Sequence, residues 1–489
     1  MRDDSVAGNT RAYGGLALEL YRQVAAHLHN GTAPGLCYMS APHVLEAAAR
    51  AWLTRAGVQV HTGWPLEAVL TAGGRVTSAS FAGGATVAAR VFIDATYEGD
   101  LVAAVGTVPV TVGREARAVY NESFAGAILC SGYESFGARA IDPWAANGTL
   151  LPLVNAVAAP PLGQGDTKVQ SYNFRACLTS DQAHGVPLPP PRRYDPAEFA
   201  LVDRYAASLP ASATASAFFS CNSFDASGEC DTNDGAPVGI NFLGPSAWDW
   251  PSANTSARAA LQDSFVQYTL GLLHHLSVAP GIPASVRASV QRWRLCADEW
   301  PDSGHLPWMP YVREGRRMRG DRVFTQEDWR LRTGAPLPAG QAGFATGGLL
   351  NTTVGLGFWF IDCHAVQRVA QPGNRTENEG CVQYGRDLMD QGAVFGLPFG
   401  LMLPPAATVS NVMATAALSA SHIGFQPLRI EPTFMVLGQA AGTAAALSLN
   451  ASTPLHQLDP ATLQAALQAT GAILSRAAMP SSAPGPVHC

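Results

Sequence analysis

Residues 418–447, LSASHIGFQPLRIEPTFMVLGQAAGTAAAL, constrain this chain more than any other stretch. A polar, small-residue loop holding Ser419, Ser421 and His422 leads into Arg429, Glu431 and Pro432. Pro432 suits a first helical turn, where a residue with no N–H loses nothing. The small and apolar run at residues 438–447 predicts a buried helix. Gly438, Ala440, Ala441 and Gly442 let that helix approach something flat and close. The start of a helix offers unsatisfied N–H groups and a partial positive charge, which suit an electron-rich ring or a phosphate.

The rest of the chain reads as a sheet built around that helix. Residues 14–29 predict an amphipathic helix, and Pro42 opens a second that Gly57 ends. VQVHTG at 58–63 alternates like a short strand. Residues 66–96 read as three strands separated by Gly73–Gly74 and Gly83–Gly84, both hairpin signals. The last of these, ARVFIDAT, runs into YEGDL. An apolar run ending in small and acidic residues suits the carboxyl edge of an α/β sheet, where ligands bind.

Between residues 117 and 347 the pattern is less regular, and prolines at 159–161 and 187–191 mark loops. Residues 258–277 predict a helix. Its adjacent His274 and His275 point to different parts of the surface, so they do not form an i, i+4 metal pair. YVREGRRMRG at 311–320 gathers a cluster of arginines, either a solvated face or an anion-binding fork through Arg313 and Arg317. FWFIDCH places Asp362 and His364 two apart on one strand face, as a proton relay or a structural hydrogen bond.

Composition removes several functions. The net charge is −6 and the one basic block lies at residues 313–322, so nucleic acid is not expected as a partner. Lys168 is the sole lysine, so Schiff-base or pyridoxal chemistry would have to use it. No run of about 18 apolar residues predicts a membrane span. Nine cysteines without a CxxC pair argue against structural zinc, and no metal site is expected. Cys221 and Cys230 flank a short loop, either as a local disulfide or as two thiols. Seven N-x-S/T sequons, at Asn30, Asn121, Asn147, Asn254, Asn351, Asn374 and Asn450, point toward a secretory route. Residues 1–12 show no apolar signal-peptide core.

The ordered segments ARVFIDATYEGDL, TVGREARAVYNESFAG, QSYNFRACLT, DEWPDSGHLPWMPYVREGRRMRG, VGLGFWFIDCH, ENEG and the opening stretch carry a resemblance. Together they are similar to the FAD-dependent oxidoreductase family related to glutathione-reductase-type flavoproteins, over residues 14–450. The resemblance implies an α/β fold. A discontinuous parallel-sheet FAD-binding domain with a β-meander would span residues 1–115 and 345–450. Residues 116–344 would form an inserted α+β cap, and 451–489 a helix and tail. It implies FAD as cofactor. Asp94, Ala95 and Thr96 would end the strand beside the dinucleotide, and Glu98, Gly99 and Asp100 would continue that loop. Ser419, Ser421 and His422 would lie along the flavin, with Gly438, Gln439, Ala440 and Gly442 aiming N–H groups at its pyrimidine edge.

The family's opening strand–GxGxxG–helix is not in this sequence, and AYGGLALELY resembles the segment just after that unit in the family. The resemblance therefore implies a start roughly 50 residues late, the size of a βαβ unit. The expected reaction is hydride removal from a small substrate, anionic or carbohydrate-like, onto flavin N5. His422 and His364 are the candidate bases; Arg429, Arg313 and Arg317 are the candidate anion ligands. The competing reading is a non-catalytic, glycosylated interaction protein on a flavoprotein scaffold that has lost FAD. Flavin colour separates the two.

Overall fold

The computed structural model describes residues 10–29, 35–223, 228–334, 350–390 and 392–481. The Asn30 sequon and the end of the proline- and serine-rich tail lie outside them. The two expected N-terminal helices form as α1 (Gly15–Leu28) and α2 (Pro42–Arg55), with Pro42 in the first turn of α2. They pack through Val24, Ala25, Val44 and Ala48.

A three-stranded antiparallel meander comes next: β1 (Leu66–Ala72), β2 (Arg75–Phe81) and β3 (Thr86–Ala88). Gly73, Gly74, Gly83 and Gly84 all have positive φ, between 56° and 86°, which the tight turns between these strands require. The expected third strand is broken. It ends at Ala88 and resumes as β4 (Phe92–Asp94), which leaves the meander and pairs in parallel with Val412–Ala414. Asn411 joins the two. Its side chain donates to the Val76 and Arg90 carbonyls and accepts from the Val76 N–H.

The strand expected at 58–63 does not form. These residues are exposed and pair with nothing in a ladder among the described residues. Alternation gives a strand only when a partner edge stands beside it. Parallel pairing among the described residues is the one two-stranded ladder plus two isolated bridges. The molecule is thus a mixed helix-and-strand fold of several small sheets.

The middle of the chain carries a five-stranded antiparallel sheet, in spatial order Gly185–Val186, Arg294–Cys296, Cys177–Thr179, Glu229–Asn233 and Ser220–Ser223. The helix expected at 258–277 runs Thr255–Val278 and is N-capped by Asn254. Its Leu272, Leu273 and Leu276 are buried in one core with Leu178 and Leu295 of the sheet. Disulfides Cys177–Cys296 and Cys221–Cys230 staple that sheet, and Cys130–Cys381 spans 251 residues of sequence.

Apolar burial falls into two main cores. One draws on residues 136–306; the other joins residues 12–38 to residues 324–467 and Ala125. The helix predicted from the opening stretch runs Glu431–Ala451, with Pro432 in its first turn, and crosses the second core. Ala440, Ala441 and Ala444 are completely buried there. It is the one described helix long and apolar enough to cross a membrane, and here it serves as a core helix.

Candidate functional site

A cavity of about 580 Å³ lies where α2, the loop after β4, the start of the Glu431–Ala451 helix and the 300–312 loops converge. Pro42, Leu45, Glu46 and Ala49 line it from α2, at the spacing that puts residues on one helix face. Tyr97 and Glu431 form its floor. Burial and the neighbouring Glu431 carboxylate push the Tyr97 phenol well above its ordinary range, so it keeps its proton. Burial also raises the Glu431 carboxyl.

The opposite wall is aromatic. Trp300, Trp308, Tyr311 and Trp359 line it, with Met309 and Pro310. Tyr311 is fixed through its backbone, whose N–H donates to the Asn173 carbonyl at 2.6 Å, and burial and Glu431 push its phenol up to about 12. The Arg175 guanidinium stacks 5.3 Å from the Tyr311 ring centre and is ion-paired with Asp231. Trp300 takes a left-handed backbone, φ 43°, a strained conformation for a bulky residue. Next to Trp300 in the sequence, the buried Glu299 carboxylate accepts from the backbone N–H of His43, at 3.1 and 3.2 Å, and lies 2.7 Å from its Nδ1. A residue from the middle of the chain thus caps α2.

Behind the cavity floor runs a buried ionic chain. Arg429 donates to Asp362 at 3.0 Å, and its Nη1 lies 3.5 Å from the Tyr311 hydroxyl. Asp362 sits 3.6 Å from His364 Nε2. His364 Nδ1 lies 3.0 Å from Glu134 and 2.9 Å from Asp234, which also pairs with Arg313 at 3.3 Å. Asn241 donates to Glu134 and Asp234. Burial and Arg313 work against a charged His364, yet Asp234, Asp362 and Glu134 outweigh them and hold it at about 10. Burial would raise Asp362, but His364 and Arg429 keep it well below the usual carboxylate range.

A second buried cluster holds the loop before the long helix. His422 Nδ1 lies 2.8 Å from Glu314, and its backbone N–H donates to Glu115 at 2.8 Å. Arg317 pairs with Glu314 and Glu115, each at 2.7 Å. Ser421 donates to Glu122 at 2.5 Å, and Ser419 to the Arg322 carbonyl at 2.5 Å. Burial would raise Glu314, but His422 and Arg317 outweigh it and hold the carboxyl at about 2.

The structure therefore places the sequence candidates away from the cavity. Arg313, Arg317, Arg429, His364, His422, Ser419 and Ser421 are all buried at 5% exposure or less, in ion pairs and hydrogen bonds, and none lines it. The sequence shows that these groups are polar and near the right elements; only packing shows that they neutralise one another. Arg429 pairs with Asp362, not with the nearby Glu431. The Asp362–His364 pair is present, as part of the ionic chain.

The loop after β4 is also mostly structural. Asp94 accepts from the Thr96 N–H and hydroxyl and from the Val102 N–H, fixing the turn into α3 (Asp100–Ala104). Ala95 and Thr96 are exposed. Glu98 accepts from Trp250 Nε1, and Asp100 binds Arg258 and Arg316. Gly99 has φ 65°, and a Cβ there would stand 2.7 Å from the Ala417 side chain.

The expected geometry of the long helix needs a correction. It begins at Glu431, so Gly438, Gln439, Ala440 and Gly442 lie in its interior, where N–H groups are already used in the helix ladder. Gln439 instead accepts from the Leu16 N–H and donates to Thr470, tying α1 to the C-terminal segment. Gly438 and Gly442 share an exposed face with open space around them.

Sequence reasoning missed Tyr97, Arg175, Trp308, Tyr311 and the site position of Glu431. A usable signal was the aromatic density of 300–311, WPDSGHLPWMPY, within a segment already singled out.

A family model described as FAD dependent oxidoreductase matches residues 2–467. No curated protein and no solved structure matches the chain.

Proposed function

This chain belongs to the FAD-dependent oxidoreductase family, whose cofactor is FAD, and we propose that it oxidises a small-molecule substrate in the aromatic cavity. The observation that carries this reading is the convergence on one cavity of a flat helix face, a helix start and the neighbouring Tyr97 and Glu431. That combination fits the ring end of a flavin: Leu45 and Ala49 offer a flat face, and the positive end of the Glu431–Ala451 helix favours electron-rich atoms. No glycine-rich phosphate turn opening a helix occurs among the described residues, so only the ring end is assigned.

When bound, flavin supplies a two-electron acceptor for a substrate hydride at N5. The protein's own groups do the rest. Glu431 takes up the accompanying proton on its carboxylate, a role suited to a raised pKa. Tyr97, beside that carboxylate and protonated, offers its phenol as a donor in the cavity. Trp300, Trp308 and Met309 line the same cavity and narrow its apolar wall. Arg429, Arg313 and Arg317 are spent in ion pairs, which removes the reason for expecting an anionic substrate.

The division into a discontinuous sheet domain and an inserted cap is supported by the two separate apolar cores. A secretory route is supported by three disulfides among the described residues and by the exposure of the six described sequon asparagines.

The test is optical. Intact chain, as purified or refolded with FAD, should show flavin absorption, and Glu431→Gln should keep the flavin while slowing its anaerobic bleaching by substrate. Protein that stays colourless after refolding with FAD overturns the reading.

A further inference from the structure

We propose that this cavity selects an organic cation, a small amine or ammonium compound, over neutral or anionic molecules. The proposal rests on reading the cavity as the substrate site and adds the chemical class of what enters it.

Two independent features point the same way. The first is the wall. Five aromatic rings line the cavity, Tyr97, Trp300, Trp308, Tyr311 and Trp359. Trp308 is 49% exposed, and its ring is oriented by donating Nε1 to Asp302 at 3.0 Å. Ring faces attract a cation through their quadrupole, and attract an ammonium group more strongly where water is partly excluded. A neutral ring substrate would stack on the same faces without that gain.

The second feature is charge. Three carboxylates line the cavity, Glu46, Asp231 and Glu431, against one guanidinium, Arg175. Arg175 is already committed to Asp231, and Glu46 is held by Arg50 at 2.6 Å. Glu431, in the first turn of its helix, shares the cavity lining with two phenols, Tyr97 and Tyr311. In the sequence Asp298, Glu299 and Asp302 flank the lining residue Trp300; Glu299 is buried and pairs with His43, and Asp302 accepts from Trp308 Nε1. An incoming carboxylate would meet the like charge of Glu431 and of the other lining carboxylates. An ammonium group would be drawn in by these carboxylates and held between them and the rings.

The experiment uses the full chain and three probes of nearly one shape: choline, its neutral carbon isostere 3,3-dimethylbutan-1-ol, and 3,3-dimethylbutanoate. Binding is measured by quenching of tryptophan fluorescence. Choline should bind at least about ten-fold more tightly than the neutral isostere, and the carboxylate more weakly than both. Added salt should weaken choline binding and leave the alcohol unaffected. Trp308→Ala should weaken choline binding about ten-fold, and Glu46→Gln by a smaller factor; both positions reach solvent, and an unchanged thermal melt shows that each variant folds. Equal or tighter binding of the alcohol or the carboxylate overturns the proposal, as does choline binding that ignores both substitutions. Flavin absorption is read on the same samples. A yellow chain without cation preference overturns the cation site alone; a colourless chain that prefers choline overturns the flavin reading alone.

Discussion

Glu122 shows what a single buried group contributes. One carboxylate oxygen accepts from Ser421 and from the Gln326 N–H, and the other has no partner. Burial pushes the carboxyl up from 4.5 to about 7. The folded protein therefore holds more protons than the unfolded chain between those values, and stability falls as pH rises through that window. Glu122→Gln keeps the acceptor and removes the titration. We expect the variant to gain on the order of 2–3 kcal/mol over the parent at pH 8 and about nothing at pH 4, by urea denaturation. A gain that is the same at both pH values would contradict this origin. Arg317 is the opposite case, a buried cation between Glu115 and Glu314. Arg317→Met strands two carboxylates and should cost roughly 3–5 kcal/mol. If instead the variant melts normally and only loses substrate affinity, Arg317 binds substrate after all. At this scale the residue types in the sequence were sound guides to chemistry and poor guides to role, because an arginine or histidine reads the same whether it faces a ligand or an internal carboxylate.

Elements form largely where local patterns put them. Pro42 and Pro432 each open a helix, glycine pairs turn the meander, and Asn254 caps the Thr255–Val278 helix. Two exceptions have a physical cause. Residues 58–63 alternate like a strand but have no partner edge among the described residues, and the expected third strand breaks between Ala88 and Phe92, where Asn411 binds the Arg90 carbonyl and the second half pairs with a parallel neighbour. The joint between β4 and α3 depends on Gly99, left-handed and in contact with Ala417. Gly99→Ala adds backbone strain and a clash at 2.7 Å, and should destabilise by roughly 2–3 kcal/mol, seen as a lower melting temperature. An unchanged melt would show that Ala417 can yield. The same joint carries Glu98 and Asp100, which bind Trp250, Arg258 and Arg316, so the element that ends the sheet also anchors the middle of the chain.

For the molecule as a whole, Cys130–Cys381 closes 251 residues, and its Cys381 end sits beside Glu134 in the ionic chain. Replacing both cysteines with alanine should cost about 5 kcal/mol if loop entropy dominates, measured as a lower denaturant midpoint under oxidising conditions. A midpoint equal to the parent's would show that packing alone holds these segments. The sequence by itself determined the helices, the meander, the family and the flat face of the long helix, because each rests on contacts within a few residues or on ordered motifs. Tertiary structure alone decided which polar groups meet. It paired Arg429 with Asp362, His364 with Glu134 and Asp234, and His422 with Glu314, across separations of 67 to 230 residues. It left Tyr97, Glu431 and the tryptophan wall facing open space. Local pattern carries no information about a partner that distant, and a buried charge takes whichever opposite charge the fold brings within reach.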